Sequence, residues 1–169
     1  MEKEFLIKIA EKCEKERVRL VLDECFVQFL TSGEEASMQL ETGRFRYLFV
    51  LQAFTKIYAV PGIRLGYGIS SDKALLERME TVRQPWSVST PAQAAGLSAL
   101  KEDHREEQTR QLVKSERERM EKELENLRIE YIPSEANFLL FNSEINWFEE
   151  LKKRGILIRD CANYRGLGN

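Results

Sequence analysis

The sequence predicts an α/β protein, and three observations carry that reading. Apolar residues at helical spacing alternate along the chain with short aliphatic runs, the runs end on charged or turn-forming residues, and the pattern changes character at a long, densely charged segment. The change of character divides the chain into residues 1–100, which hold most of the strand-like runs, and residues 101–169, which hold the charged segment and a smaller α/β portion.

The elements follow in order. Phe5, Leu6, Ile9 and Cys13 recur at helical spacing and lead into Val18–Leu22, a strand-like run that ends on Asp23. Thr31–Gly43 is polar and contains glycines, so it reads as loop. Tyr47–Ala53 is a second strand and Arg64–Ile69 a third. Ser71 or Asp72 caps a helix carrying Leu75, Leu76, Met79 and Val82, which stops before Pro85. Another helix opens at Thr90-Pro91, with Pro91 at its first position. Within Lys101–Arg128, Val113, Met120, Leu124 and Leu127 form one apolar stripe on a long solvated helix. Asn137–Phe141 reads as strand, Trp147–Arg154 as helix, Gly155 as its stop, and Ile156–Ile158 as a strand running into Arg159.

Composition narrows the function classes. The 169 residues include 26 basic and 28 acidic side chains, a net charge of −2, which gives no electrostatic reason to expect nucleic acid or an anionic membrane as partner. No apolar run is long enough to span a bilayer and the opening segment lacks a signal-peptide core, so a cytoplasmic location and a small-molecule or protein partner are expected. Cys13, Cys25 and Cys161 are widely separated and lack metal-ligand spacing, so neither a disulfide framework nor a metal site is expected. His104, the single histidine, lies in the charged segment and reads as a solvated residue. Met38, Met79 and Met120 read as core or near-core filling, and Trp86 either as a wall of a cleft or as a packing aromatic.

One stretch stands out chemically. In LQAFTKIYAVPGIRLGYG, Lys56 follows the second strand, just as Asp23 follows the first, and ligands in α/β sheets collect at carboxyl ends of strands. A partly desolvated lysine is a good amine nucleophile toward a carbonyl, and an acid in the same cleft can hold a cationic ring nitrogen. Spacing alone leaves open that Lys56 is a surface residue at a strand exit and Asp23 a loop carboxylate.

AFTKIYAVPGIRLGYG resembles the lysine segment of the fold-type I pyridoxal-phosphate enzymes of the class I/II aminotransferase group, where a Ser-x-Thr-Lys type run precedes Pro-Gly-x-Arg-x-Gly-Tyr. VLDECFVQF resembles the Asp-Glu-Ala-Phe/Tyr segment of the same group. RQPWSVSTPAQ, SEANFLLF and ILIRDCANYRGL are similar to the branch that decarboxylates threonine phosphate to aminopropanol phosphate for cobalamin synthesis. The resemblance implies a partial fold-type I fold: part of the large cofactor domain in residues 1–100, then a linking helix and part of the small carboxyl-terminal domain in residues 101–169.

The resemblance also implies roles. Pyridoxal 5'-phosphate would be the cofactor, Lys56 its Schiff-base lysine, Arg64 the ligand of its phosphate and Asp23 the partner of its pyridine nitrogen. Gly66 and the Pro61-Gly62 turn would let the backbone approach closely. Arg159 would meet the substrate phosphate, with Asn137 and Tyr164 as further site candidates. The substrate would be a small phosphorylated amino acid and the enzyme a homodimer; a histidinol-phosphate type aminotransferase and a non-catalytic interaction module are the alternatives. Ala53 replaces the serine that helps hold cofactor phosphate, and Phe26 stands where many members carry a tyrosine at the ring hydroxyl. The group's phosphate-cradling turn, ring-stacking residue and carboxylate-binding arginine find no counterpart here, so the chain is expected to be a fragment of a larger enzyme.

Overall fold

A computed structural model describes residues 2–102 and 104–167. The chain forms two compact units, one of residues Met1–Glu116 with Glu135–Asn137, the other of Arg117–Ser134 with Phe138–Asn169.

The first unit is built on a three-stranded sheet. Helix α1 (Lys3–Glu16) ends where Arg17 takes a left-handed conformation and the Val18 N–H donates to the Cys13 carbonyl, which frees the chain to enter β1 (Leu20–Asp23). Strand β2 (Leu48–Ala53) is central: it pairs parallel with β1, Leu20 beside Leu48 and Asp23 beside Leu51, and antiparallel with β3 (Gly66–Ile69), Ala53 beside Gly66. A 3-10 turn at Val27–Phe29 follows β1, and the Thr31–Gly43 segment expected as loop winds into two more, at Gly33–Ala36 and Gln39–Gly43.

Alternation along the strands puts Leu20, Leu22, Leu48 and Val50 on one face, where they pack with Ala10 of α1, Met38 and Phe45. Leu6 and Ile7 of α1 cover this core, whereas Phe5, expected on the apolar face, is exposed. Of the three methionines read as core, Met38 is fully buried while Met79 and Met120 are exposed, because the stripes they belong to are only lightly covered in this chain.

Two capped helices and a short one complete the unit. One-turn helix α2 (Phe54–Ile57) follows β2 without a break. Helix α3 (Lys73–Val82) is capped by Asp72, which accepts from the Leu75 N–H at 3.4 Å. Helix α4 (Thr90–Ala99) is capped by Ser89, so Pro91 occupies the second helical position rather than the first.

Asp72 is 5% exposed and also receives the guanidinium of Arg19 at 2.5 Å and that of Arg46 at 3.4 Å. The Arg19 hydrogen bond, aided by the Leu75 N–H and both positive charges, holds its carboxyl below the ordinary aspartate value. A carboxyl depressed in the folded state contributes stability above its unfolded value and loses it as pH falls through the folded one. Urea midpoints should therefore drop between about pH 5 and about pH 2, and Asp72→Asn should flatten that part of the profile. An unchanged profile in the variant would show that other carboxylates set the acid limb.

The long helix α5 (Arg105–Asn126) starts in the first unit and ends in the second. The second unit then holds a two-stranded antiparallel sheet, β4 (Glu130–Ile132) with β5 (Leu140–Asn142), and helix α6 (Trp147–Lys152), capped by the Asn146 side chain. Gly155 adopts φ +76° and closes α6, as its position predicts. Two expectations are corrected here. The strand read at Asn137–Phe141 begins later, at Leu140, and Ile156–Ile158 forms no strand, because no neighbouring strand among the described residues offers it a ladder of hydrogen bonds.

Candidate functional site

Because β1 and β2 run parallel, their carboxyl ends lie at the same edge of the sheet, and this geometry brings Asp23 and Lys56 together. Asp23 is the last residue of β1, and β2 turns directly into α2, which carries Lys56 in its single turn. Burying Phe54 and Ile57 on either side of it leaves Lys56 facing outward, exposed. Its Nζ lies 5.2 Å from the centroid of the Phe26 ring, within cation–π range.

The electrostatics of this edge are set by four neighbouring groups. The Asp23 carboxyl is held below its ordinary value by the Cys25 thiol and by the Cys25 N–H, which donates to Oδ1 at 3.0 Å, and the charge of Lys56 favours the anion further. Burial pushes the Cys25 thiol up to about 11, and the Asp23 anion adds to that effect. The result at neutral pH is a carboxylate held in its charged form near an exposed amine, with an un-ionised thiol hydrogen-bonded to the carboxylate.

Arg64 follows a 3-10 turn, Pro61–Ile63, and takes a left-handed φ of +56°. Its Nη1 donates to the Pro61 carbonyl at 3.1 Å, so one nitrogen anchors the guanidinium while the rest stays exposed. Gly66 is required where it stands: a Cβ there would come within 3.0 Å of the Gln52 carbonyl oxygen. Gly62 has no such neighbour within 4 Å, so the turn itself does not need it.

The other expected site residues divide between the units. Asn137 is exposed and belongs to the first unit, with Asp23, Lys56 and Arg64; Arg159 and Tyr164 belong to the second. There the Arg159 guanidinium carbon sits 5.4 Å from the Tyr164 ring centroid and Nη2 reaches Asn163 Oδ1 at 3.5 Å, so local contacts orient an exposed cation. Trp86 neither packs nor walls a cleft within its unit: it is 94% exposed, at a residue with φ +61°. The three cysteines are free thiols, and no cluster of three metal-ligating side chains occurs among the described residues.

The sequence reading missed a buried polar network directly behind the site. Glu24 is 8% exposed and accepts from the Ser37 hydroxyl at 2.5 Å, the Met38 N–H at 2.8 Å and Gln52 Nε2 at 3.3 Å. The available signal was Gln52, a polar residue at a strand position in phase with the core residues Leu48 and Val50.

The family model of the aminotransferases of class I and II matches residues 1–164. The chain belongs to this family. Members of the family depend on pyridoxal phosphate. Among curated relatives, threonine-phosphate decarboxylase of Salmonella typhimurium is 36% identical over 98% of this chain and 46% of its own length. Histidinol-phosphate aminotransferase of Bdellovibrio bacteriovorus is 33% identical over 95% of this chain and 43% of its own. The crystal structure of the histidinol-phosphate aminotransferase from Clostridium acetobutylicum superposes with a TM-score of 0.90 at 31% identity, covering 98% of this chain and 51% of that one. The chain therefore has the fold-type I architecture in part and spans about half the length of the relatives it matches. Among its described residues, no helix is long and apolar enough to cross a membrane.

Proposed function

We propose that this chain is the part of a pyridoxal-phosphate enzyme that carries the cofactor lysine, and that the enzyme decarboxylates O-phospho-L-threonine to aminopropanol phosphate. The observation that carries the reading is that the Asp23 carboxylate and the Lys56 amine stand near enough at the carboxyl edge of the sheet for the lysine's charge to favour the anion. The residues fit the cofactor: Lys56 offers an exposed amine for the aldehyde, Asp23 an acceptor for the pyridinium N–H whose charged form its neighbours favour, and Arg64 an exposed fork for the phosphate. The ring, when bound, supplies an electron sink for the pair left by the departing carboxylate.

Each side chain then has a stated task. Asp23 keeps a proton on the ring nitrogen. Lys56 would hold the cofactor through Nζ and carry there the proton that the product must regain. Arg159, already oriented by Tyr164 and Asn163, provides a fixed positive group for a phosphate monoester, and Asn137 is a further candidate for substrate contact. Residues 1–100 contribute to the large cofactor domain and 101–169 to a linking helix and the small domain, and the enzyme works in the cytoplasm as a homodimer.

Two relatives at 36% and 35% identity bear the decarboxylase name, and ILIRDCANYRGL supports the same choice. The TM-score of 0.90 to the Clostridium enzyme favours a second reading, amino transfer from a histidinol-phosphate type substrate. A phosphate site serves both, so product analysis decides. The enzyme containing this segment, given O-phospho-L-threonine and cofactor, should release carbon dioxide without an added keto acid. The same assay on the 169-residue chain alone should show none, since near-attack geometry depends on substrate being held from all sides. Amino-group transfer to a keto acid without carbon dioxide would assign the aminotransferase activity instead. Absence of any imine band with the cofactor would favour a non-catalytic module.

A further inference from the structure

Behind the site, within the first unit, a cavity of about 140 Å³ is lined by Gln28, Ser37, Gln39, Gln52, Tyr58 and Glu106 among others. Two of its polar lining residues each hold a buried oxygen without a hydrogen-bond partner. Gln52 is 4% exposed and its Nε2 is committed to Glu24, Ser37 and Gln39, which leaves its buried Oε1 without a partner. That orientation of the carboxamide is dictated by Glu24, since a carboxylate can only accept. The buried Oε1 of Gln28 also lacks a partner. Glu106 lines the cavity and receives the Tyr58 hydroxyl.

The charges point the same way as the lone pairs. Glu24, bonded to two of the lining residues, is satisfied by neutral donors, and among the described residues neither Glu24 nor Glu106 enters an ion pair. Arg110, the basic group nearest in the contacts to Gln28, is committed to Glu107 and to the Gln28 carbonyl and does not line the space. One carboxylate, Glu106, and two unpaired carboxamide oxygens thus belong to residues lining one cavity, with a second carboxylate, Glu24, bonded to two of the lining residues, and no lysine or arginine lines the space among the described residues. Buried acceptors left without a partner are costly.

We propose that this cavity binds a monovalent cation of the size of potassium or ammonium, held by carboxamide and carboxylate oxygens. Oxygen dipoles of this kind replace the hydration shell of such an ion. A divalent metal would call for more carboxylates than border the space, and no triad of metal-ligating side chains exists among the described residues. The volume accommodates the ion with several waters, since one water needs only about 10–15 Å³ on this measure.

The test compares thermal unfolding of the 169-residue chain in potassium, ammonium, sodium and choline chloride at equal ionic strength. At about ten times its dissociation constant, a bound ion should raise the midpoint by about 3–6 °C over choline. Potassium and ammonium should both act, and ¹⁵N-labelled ammonium should give a bound resonance that potassium displaces. Glu106→Gln keeps an acceptor for Tyr58 but removes the lining charge, and Gln28→Met removes an oxygen at nearly constant volume. Each should weaken the ion at least about tenfold without changing the midpoint measured in choline by more than a few degrees. Equal midpoints in all four salts, meaning that water alone fills the cavity, would overturn the proposal. So would a potassium response unchanged by both substitutions.

Discussion

Lys56→Ala is expected to abolish covalent capture of pyridoxal phosphate while leaving the fold intact. In the unaltered protein, borohydride reduction of the cofactor complex should fix the label on the peptide containing Lys56, and in the variant no imine absorbance should develop. In the full-length enzyme, decarboxylation should fall by at least about a thousandfold, equivalent to ~4 kcal/mol of lost transition-state stabilisation. The magnitude follows from the amine's two tasks, holding the cofactor and returning a proton, for which no second lysine in the described contacts lies beside Asp23. The intact fold follows from exposure: the side chain makes a 5.2 Å contact with the Phe26 ring and a charge interaction with Asp23, both worth little at a surface. Unfolding of the variant should stay within about 0.5 kcal/mol of the parent chain. Label on any other lysine would remove Lys56 from the cofactor role.

How much of this was legible in the sequence depended on whether the deciding interaction was local. Aliphatic runs ending at Asp23 and Ala53 located two strands, and their parallel pairing then placed Asp23 and Lys56 at one edge. Boundaries moved where capping decided them: Ser89 caps α4, so Thr90 rather than Pro91 is its first helical residue. Strand β4 was hidden because Glu130, Tyr131 and Ile132 directly follow a charged helix and pair only with Leu140–Asn142, a contact no local pattern announces. The opposite error arose at Ile156–Ile158, where strand propensity is strong but a ladder partner is missing among the described residues. The Glu24 network was invisible for a related reason. Its members lie 13 to 28 residues apart in pairs, and a glutamate next to Asp23 reads as one more loop carboxylate until the segment Ser37–Met38 is seen to cover it.

Glu24→Ala should destabilise the first unit by about 3–5 kcal/mol, whereas Glu24→Gln should cost about 1 kcal/mol. Truncation removes the acceptor of the Met38 N–H, at a residue with no solvent exposure, and leaves the Ser37 hydroxyl and Gln52 Nε2 short of a bond in the same enclosed volume. A buried donor left unpaired costs its full desolvation, about 1–3 kcal/mol, and a cavity term adds to it. The amide variant escapes most of this. Its one carboxamide oxygen still serves Met38, and its NH₂ can be received by Gln52 if that carboxamide flips, since Gln52 Oε1 has no partner to lose. Urea unfolding of the three proteins gives the comparison directly. Equal stability of Glu24→Ala and the parent chain would mean that water satisfies these donors. The consequence reaches the site, because the Glu24 N–H donates to the Leu51 carbonyl and extends the β1–β2 ladder one residue past Asp23. Loosening Glu24 should therefore also weaken cofactor capture by Lys56 through loss of the Asp23 position, while Glu24→Gln, which preserves the ladder, should retain it.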